Sequence, residues 1–291
     1  MHTDLMEPRT GRAVPVDASS SWLFVPGDRP ERFAKAHAAG AHQVILDLED
    51  AVSVATKPAA REAVAQWVGD GRDAWVRVNA PGSSAYADDV VAIKGSGALG
   101  VMVPKATVDG VRTARQDLGA DVPLIALVES AVGLQEADRI ARCDGVVTLA
   151  FGSIDFAVDI DAEETWEAML FARSALVLAA RAAGLTGPID GVSTAVKDPE
   201  QAGRDAAAAR ALGFGGKLCI HPSQVVPVNV GFAPSAEQLD WALQIAHAIG
   251  GVERLEEDDL STALQVDGQM VDRPVVLRAR RILQRHAIND L

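Results

Sequence analysis

The chain predicts an α/β fold, a (β/α)8 TIM barrel followed by a C-terminal helical extension, and three observations carry that expectation. Eight short apolar runs recur along it, with helix-like stretches between them. The runs are continuous and not alternating, as strands buried on both faces of a parallel sheet must be. No phosphate-binding glycine fingerprint opens the first repeat, which argues against the alternative, a doubly wound open sheet.

Residues 22–26 form the first strand, and a helix begins near Pro30, where a missing N–H costs nothing in a first turn. Residues 44–48 form the second, ending in Asp47-Leu48-Glu49-Asp50 before a helix over 57–68. The third, 75–78, runs into Arg77-Val78-Asn79, and the fourth, 101–104, stops at Lys105. Residues 124–128 and 146–151 supply the fifth and sixth. An Ala/Leu-rich helix over 165–183 leads to a short seventh strand, 188–192. A helix over 198–212, entered through Asp198-Pro199, precedes the eighth strand, 217–220, and a last barrel helix covers 235–249. Gly213-Phe214-Gly215-Gly216-Lys217 is a helix-to-strand turn and no phosphate loop, because Ala211 and Leu218 stand where Gly and Ser/Thr are needed. The expected organisation is a loose tail over 1–18, a barrel over 19–250, and an extension over 251–291 with a final helix over 274–286, acting as lid or oligomerisation arm.

A formal net charge of −13 argues against a nucleic-acid or anionic-membrane partner. No apolar run approaches membrane-spanning length, and residues 1–18 lack the apolar segment of a signal peptide. Cys143 and Cys219 read as buried free thiols of a reducing compartment, so the expected location is the cytoplasm.

Barrel enzymes carry their chemistry at the C-terminal strand ends. Those ends hold Asp28, Asp47, Glu49, Asp50, Arg77, Asn79, Lys105, Glu129, Gly152, Ser153, Asp155, Asp190 and His221. Glu129 and Asp155 close the fifth and sixth strands, which lie side by side in a parallel unit. Two neighbouring carboxylates repel unless a proton or a cation separates them, and hard oxygen ligands suit Mg2+, the simplest explanation. The bland alternative makes each a helix N-cap. Arg77, flanked by valines, needs either an anionic substrate or an ion pair with Glu49 or Asp50. Lys105 offers either a charge partner or, with a lowered pKa, a Schiff base. His221 is either a hydrogen-bonded structural residue or a substrate contact.

Seven short motifs, in order, resemble the citrate lyase β-subunit-like proteins of the HpcH/HpaI aldolase group. They are Ser-Trp-Leu-Phe-Val-Pro-Gly-Asp-Arg-Pro (21–30), Leu-Asp-Leu-Glu-Asp-Ala-Val (46–52), Val-Arg-Val-Asn (76–79), Val-Glu-Ser (128–130), Gly-Ser-Ile-Asp-Phe (152–156), Ile-His-Pro-Ser-Gln (220–224) and Met-Val-Asp-Arg-Pro (270–274). That family includes malyl-CoA, methylmalyl-CoA and citramalyl-CoA lyases, TIM barrels commonly assembled as trimers. The resemblance implies Mg2+ on Glu129 and Asp155, with Arg77 and the metal holding a 2-oxo acid near Gly152 and Ser153. It implies that Phe24, Pro26, Arg29, Lys105 and His221 help to hold substrate or acyl-CoA. Glu49 and Asp50 would stand behind the metal's waters, and Asp272 would transfer a proton from a neighbouring subunit of a homo-oligomer. The chain departs from the family at Ser20, often Arg, and at Ile154, frequently Glu, which bears on the exact substrate.

The activity so implied is a Mg2+-dependent, reversible cleavage of a β-hydroxyacyl-CoA into an acyl-CoA and a 2-oxo acid. Three alternatives stay open: a citrate lyase β subunit working on an acyl-carrier thioester, a class II aldolase of free 2-oxo acids, and a non-catalytic binder of acyl-CoA or 2-oxo acids.

Overall fold

The structure, a computed structural model, describes residues 14–256, 264–266 and 269–289. Most of the expected N-terminal tail therefore lies outside the described residues. The chain forms two compact units, residues 1–231 and 232–291.

In the first unit eight parallel strands close into a barrel in sequence order: β1 (Ser21–Pro26), β2 (Gln43–Asp47), β3 (Trp75–Arg77), β4 (Gly100–Val103), β5 (Leu124–Val128), β6 (Val146–Phe151), β7 (Ile189–Asp190) and β8 (Gly216–Cys219). Closure is made by β8 on β1, with Trp22 beside Leu218 and Leu23 beside Cys219. Helices surround the strands, so the predicted (β/α)8 architecture is the observed one.

Every strand sends apolar side chains inward. Trp22, Ile45, Trp75, Met102, Ile125, Leu127, Ala150, Ile189 and Leu218 form one buried cluster. Trp22 and Trp75 meet edge to face, their ring centroids 5.6 Å apart. The two indole N–H groups find partners, Trp22 on the Ser19 carbonyl at 3.1 Å and Trp75 on Gln43 Oε1 at 3.1 Å. Gly100 must lack a side chain, because a Cβ there would collide with the Trp75 ring. This packed layer is a floor, and above it the next inward positions of several strands carry polar side chains.

Strand ends fall within two residues of expectation. The seventh strand is shorter than 188–192, since the Gly191 carbonyl accepts from the Lys217 ammonium and not from a ladder partner. Near Pro30 the chain first makes a 3-10 turn, Pro30–Arg32, which leads into the helix Phe33–His37. Cys143 differs from expectation too; it is half-buried in the turn after the helix Ala137–Ala141, whereas Cys219 is fully buried, and both thiols are free. No described helix is long and apolar enough to cross a membrane.

The second unit holds the helices Ala236–Ala248 and Arg273–Asn289 and an antiparallel pair, Leu264–Val266 with Gln269–Val271. Its own core gathers Ala242, Ile245, Ala246, Ile249, Leu255, Val271, Val276 and Ala279.

Candidate active site at the mouth of the barrel

Side chains alternate along a strand, so the position two beyond an inward-facing floor residue also faces inward. Phe24 follows Trp22, Asp47 follows Ile45, Arg77 follows Trp75, and Glu129 follows Leu127. Four wall positions, on β1, β2 and β3 and at the end of β5, thus deliver an aromatic ring, two carboxylates and a guanidinium to one layer above the floor.

The guanidinium is locked. Arg77 Nε and Nη2 donate to the two Asp47 oxygens at 2.7 and 2.6 Å, a bidentate pair set by the Asp47–Arg77 register of β2 and β3. Nη1 lies 3.1 Å from Glu49 Oε2, and the group sits 4.7 Å above the Phe24 ring. Burial opposes the charge, but the Asp47 bond and the charges of Asp47, Glu49 and Glu129 win, so the Arg77 pKa is raised. The expected partners need correcting. Glu49 does pair with Arg77, but Asp47 is the main partner, and exposed Asp50 lies instead 3.9 Å from the Lys105 ammonium.

Glu49 is buried between two cations. Its Oε1 accepts from Lys105 Nζ at 2.6 Å, while Oε2 faces Arg77 without an aligned N–H. Burial, aided by Asp50, raises its pKa against the pull of Arg77 and Lys105. Lys105 is half exposed, and although burial pulls its pKa down, the bond to Glu49 and the surrounding acids raise it overall. A firmly protonated amine is the opposite of what imine formation needs, so the geometry favours the charge-partner role.

Glu129 Oε1 accepts the Lys105 backbone N–H at 2.6 Å, and Lys105 adopts a left-handed φ of 48° there. The other oxygen packs on Gly152, where any Cβ would come within 2.6 Å of it. Burial pushes the Glu129 carboxyl up to about 8; the Lys105 N–H resists this, while Glu49 and Asp155 add to it and Arg77 opposes it. Asp155 sits in the first turn of the helix Ser153–Asp159, exposed, and accepts no hydrogen bond from the described residues.

Helix capping does not explain the pair. Ser130, not Glu129, caps the helix Ala131–Gln135, and Gly152 is the N-cap of Ser153–Asp159 with no side-chain bond. A desolvated carboxyl beside an unpartnered one fits a hard cation. Among the described residues no group of three or more His, Cys, Asp or Glu forms a protein cage. Two carboxylates with open positions suit Mg2+, which keeps several waters or substrate oxygens.

The remaining nominated residues are scattered. Ser153 Oγ donates to Glu164 at 2.6 Å. Exposed Arg29 is 3.9 Å from Asp28, and Pro26 closes β1. His221 caps the 3-10 turn Pro222–Gln224, its Nδ1 2.7 Å from Ser223 Oγ, while buried Gln224 ties this turn to the Ser193 carbonyl. Exposed Asp272, in the second unit, accepts from the Val275 N–H at 3.3 Å at the start of its helix. Asp190 is not at the mouth: Ile189 and Leu218 face inward, so Asp190 and Lys217 point outward between barrel and helices.

Residues 20–222 match the model of the HpcH/HpaI aldolase/citrate lyase family. The chain belongs to that family. Its members include a citrate lyase subunit beta-like protein of Mycobacterium tuberculosis, 39% identical over 277 residues, which cover 92% of this chain and 96% of that one. A (3S)-malyl-CoA thioesterase of Cereibacter sphaeroides is 33% identical over 90% of this chain and 93% of its own length. The crystal structure of CitE from M. tuberculosis with magnesium, acetoacetate and coenzyme A superposes with a TM-score of 0.79 at 37% identity, covering 94% of this chain and all of that one. Membership places the chain among lyases of this HpcH/HpaI type.

Proposed function

We propose that the chain is a Mg2+-dependent carbon–carbon lyase. It cleaves a β-hydroxyacyl-CoA of the malyl, methylmalyl or citramalyl type, reversibly, to an acyl-CoA and a 2-oxo acid. The observation that carries this reading is the Glu129 carboxyl, desolvated and held beside unpartnered Asp155 and locked Arg77. Magnesium with acetoacetate and coenzyme A in the CitE relative supports the ligand class.

Glu129 and Asp155 would hold the ion, which supplies Lewis-acid polarisation of the oxygen that becomes the keto group. Arg77, fixed by Asp47, presents its remaining N–H groups to the oxo acid's carboxylate without having to reorganise. Lys105 and Arg77 hold Glu49, which would orient water at the mouth, and exposed Asp50 stands beside Lys105. Phe24, Pro26, Arg29, the Gly152-Ser153 turn and the His221 loop line the path for the acyl-CoA. In cleavage the hydroxyl gives up its proton, the bond to the carbinol carbon breaks, and the thioester enolate carbon takes a proton. Asp272 is the proton-transfer group, supplied by a neighbouring copy in a cytoplasmic homotrimer.

Apolar side chains exposed beyond the strand ends, Val54 and Ile220 in loops and Val132, Ile154 and Val158 on the short helices Ala131–Gln135 and Ser153–Asp159, favour such a covering subunit at the mouth. Purified protein with Mg2+ should release acyl-CoA from at least one of the three thioesters; release from none removes the assignment. Asp272→Asn is expected to lower turnover at least about a hundredfold while leaving ion affinity within about twofold, since proton transfer and ion binding are separate tasks. Unchanged turnover excludes Asp272 from the mechanism. Kinship with a malyl-CoA thioesterase favours one second reading, hydrolysis of the thioester, which product analysis for the intact hydroxy acid distinguishes.

A further inference from the structure

Asp155 takes no hydrogen bond from the described residues, so its aim depends on the backbone that carries it, from Phe151 into the helix Ser153–Asp159. The contacts that hold this backbone lead to one buried side chain. The Phe151 ring meets Phe156, the neighbour of Asp155, edge to face at 5.5 Å. The Arg173 guanidinium lies over the same Phe151 ring at 5.5 Å and over Trp166 at 4.6 Å. Trp166 follows the loop whose Glu164 accepts the Ser153 hydroxyl. Arg173 Nε donates to Asp190 Oδ1 at 2.8 Å, and Asp190 Oδ2 is 3.3 Å from Lys217 Nζ. Lys217 also donates to the Gly191 carbonyl, and Gly191 packs so closely on Ser153 Oγ that a Cβ would collide with it.

This arrangement is costly as mere packing. The other buried residues of the helix Trp166–Ala182 are Met169, Ala172, Leu176, Ala179 and Ala180, all apolar. Two buried cations sharing one carboxylate stabilise a fold no better than apolar residues of similar volume. We propose that Arg173 is a positioning residue: from behind the barrel wall it sets where Asp155 stands, and so the affinity of the mouth for a divalent ion. The proposal rests on the reading of Glu129 and Asp155 as the ion's ligands. Partners standing behind a ligand typically change metal affinity by tenfold or more.

The test uses Mn2+ as the probe, its binding to the full-length protein read by electron paramagnetic resonance. Arg173→Met is expected to weaken Mn2+ binding about tenfold. Arg173→Lys, which keeps the charge near Asp190 but loses the flat stack, should weaken it less and serves if the Met variant does not fold. The specific signature is non-additivity. In an Asp155→Asn background either Arg173 substitution should change affinity no further, whereas in a Glu129→Gln background its effect should persist. A purely structural Arg173 would lower the unfolding temperature and leave Mn2+ affinity unchanged, or weaken it equally in both backgrounds; either result overturns the proposal. Failure of the underlying reading looks different: Glu129→Gln and Asp155→Asn would then bind Mn2+ as the native protein does.

Discussion

Glu129→Gln is expected to lower lyase turnover about a thousandfold, the worth of about 4 kcal/mol of transition-state charge stabilisation, and to weaken, without abolishing, the Mg2+ binding seen by calorimetry. Gln keeps the shape, still accepts the Lys105 N–H, and packs on Gly152 as before, so the fold should survive. The charge is what goes. The same carboxyl gives a pH signature. Its folded pKa, about 8 against an ordinary 4.5, means that the folded, metal-free chain holds this proton more tightly than the unfolded one. Between about pH 4.5 and 8 the metal-free protein therefore loses this contribution to stability as pH rises, and Glu129→Gln escapes the loss. An ion that binds must displace the proton, so Mg2+ affinity should rise by up to tenfold per pH unit and level off near pH 8. Unfolding temperatures with and without chelator, together with titrations at several pH values, read both. Affinity flat from pH 6 to 8 would show that Glu129 does not bind the ion.

The barrel was legible because each strand is a short apolar run that stops on a polar residue, and eight such runs have one natural closure. The neighbouring placement of Glu129 and Asp155 was legible for the same reason, since both follow such runs in consecutive repeats. The partner of Arg77 was harder. Asp47, Glu49 and Asp50 crowd one strand end, and only the register, which sets Asp47 beside Arg77, selects among them. Counting inward from Ile45 and Trp75 by twos reaches Asp47 and Arg77, so the signal lay in strand alternation. The same count shows why Asp190 is misplaced by its sequence position. At a strand end it looks like a mouth residue, yet it lies one residue out of phase and faces Arg173. Tertiary pairing between a helix and a strand seventeen residues apart leaves no pattern that a reading by repeats would find. The antiparallel pair of the second unit was not expected, because each of its strands is only three residues long, too short to show an alternating pattern.

Arg77→Met should destabilise the protein by about 3–5 kcal/mol, because it leaves buried carboxylates without their cation. Asp47 is fully buried and Glu49 nearly so, and of these two Lys105 reaches Glu49 alone. Asp47 also accepts the Glu49 and Ala51 N–H groups at 2.9 and 3.1 Å, so a disturbed carboxylate unsettles the turn that carries Glu49. Arg77→Lys separates holding the fold from holding substrate. An ammonium keeps a charge beside Asp47, so much of the stability should remain. It cannot make the paired N–H contacts to Asp47 while turning further donors to a carboxylate, as a planar guanidinium can. The expected result is a folded Lys variant with KM for the 2-oxo acid in the condensation direction raised about tenfold or more, roughly the worth of one charge-assisted bond. If the Met variant unfolds with the native midpoint in urea, Asp47 and Glu49 do not depend on Arg77. If the Lys variant keeps the native KM, the guanidinium is a structural brace and the substrate carboxylate is held elsewhere.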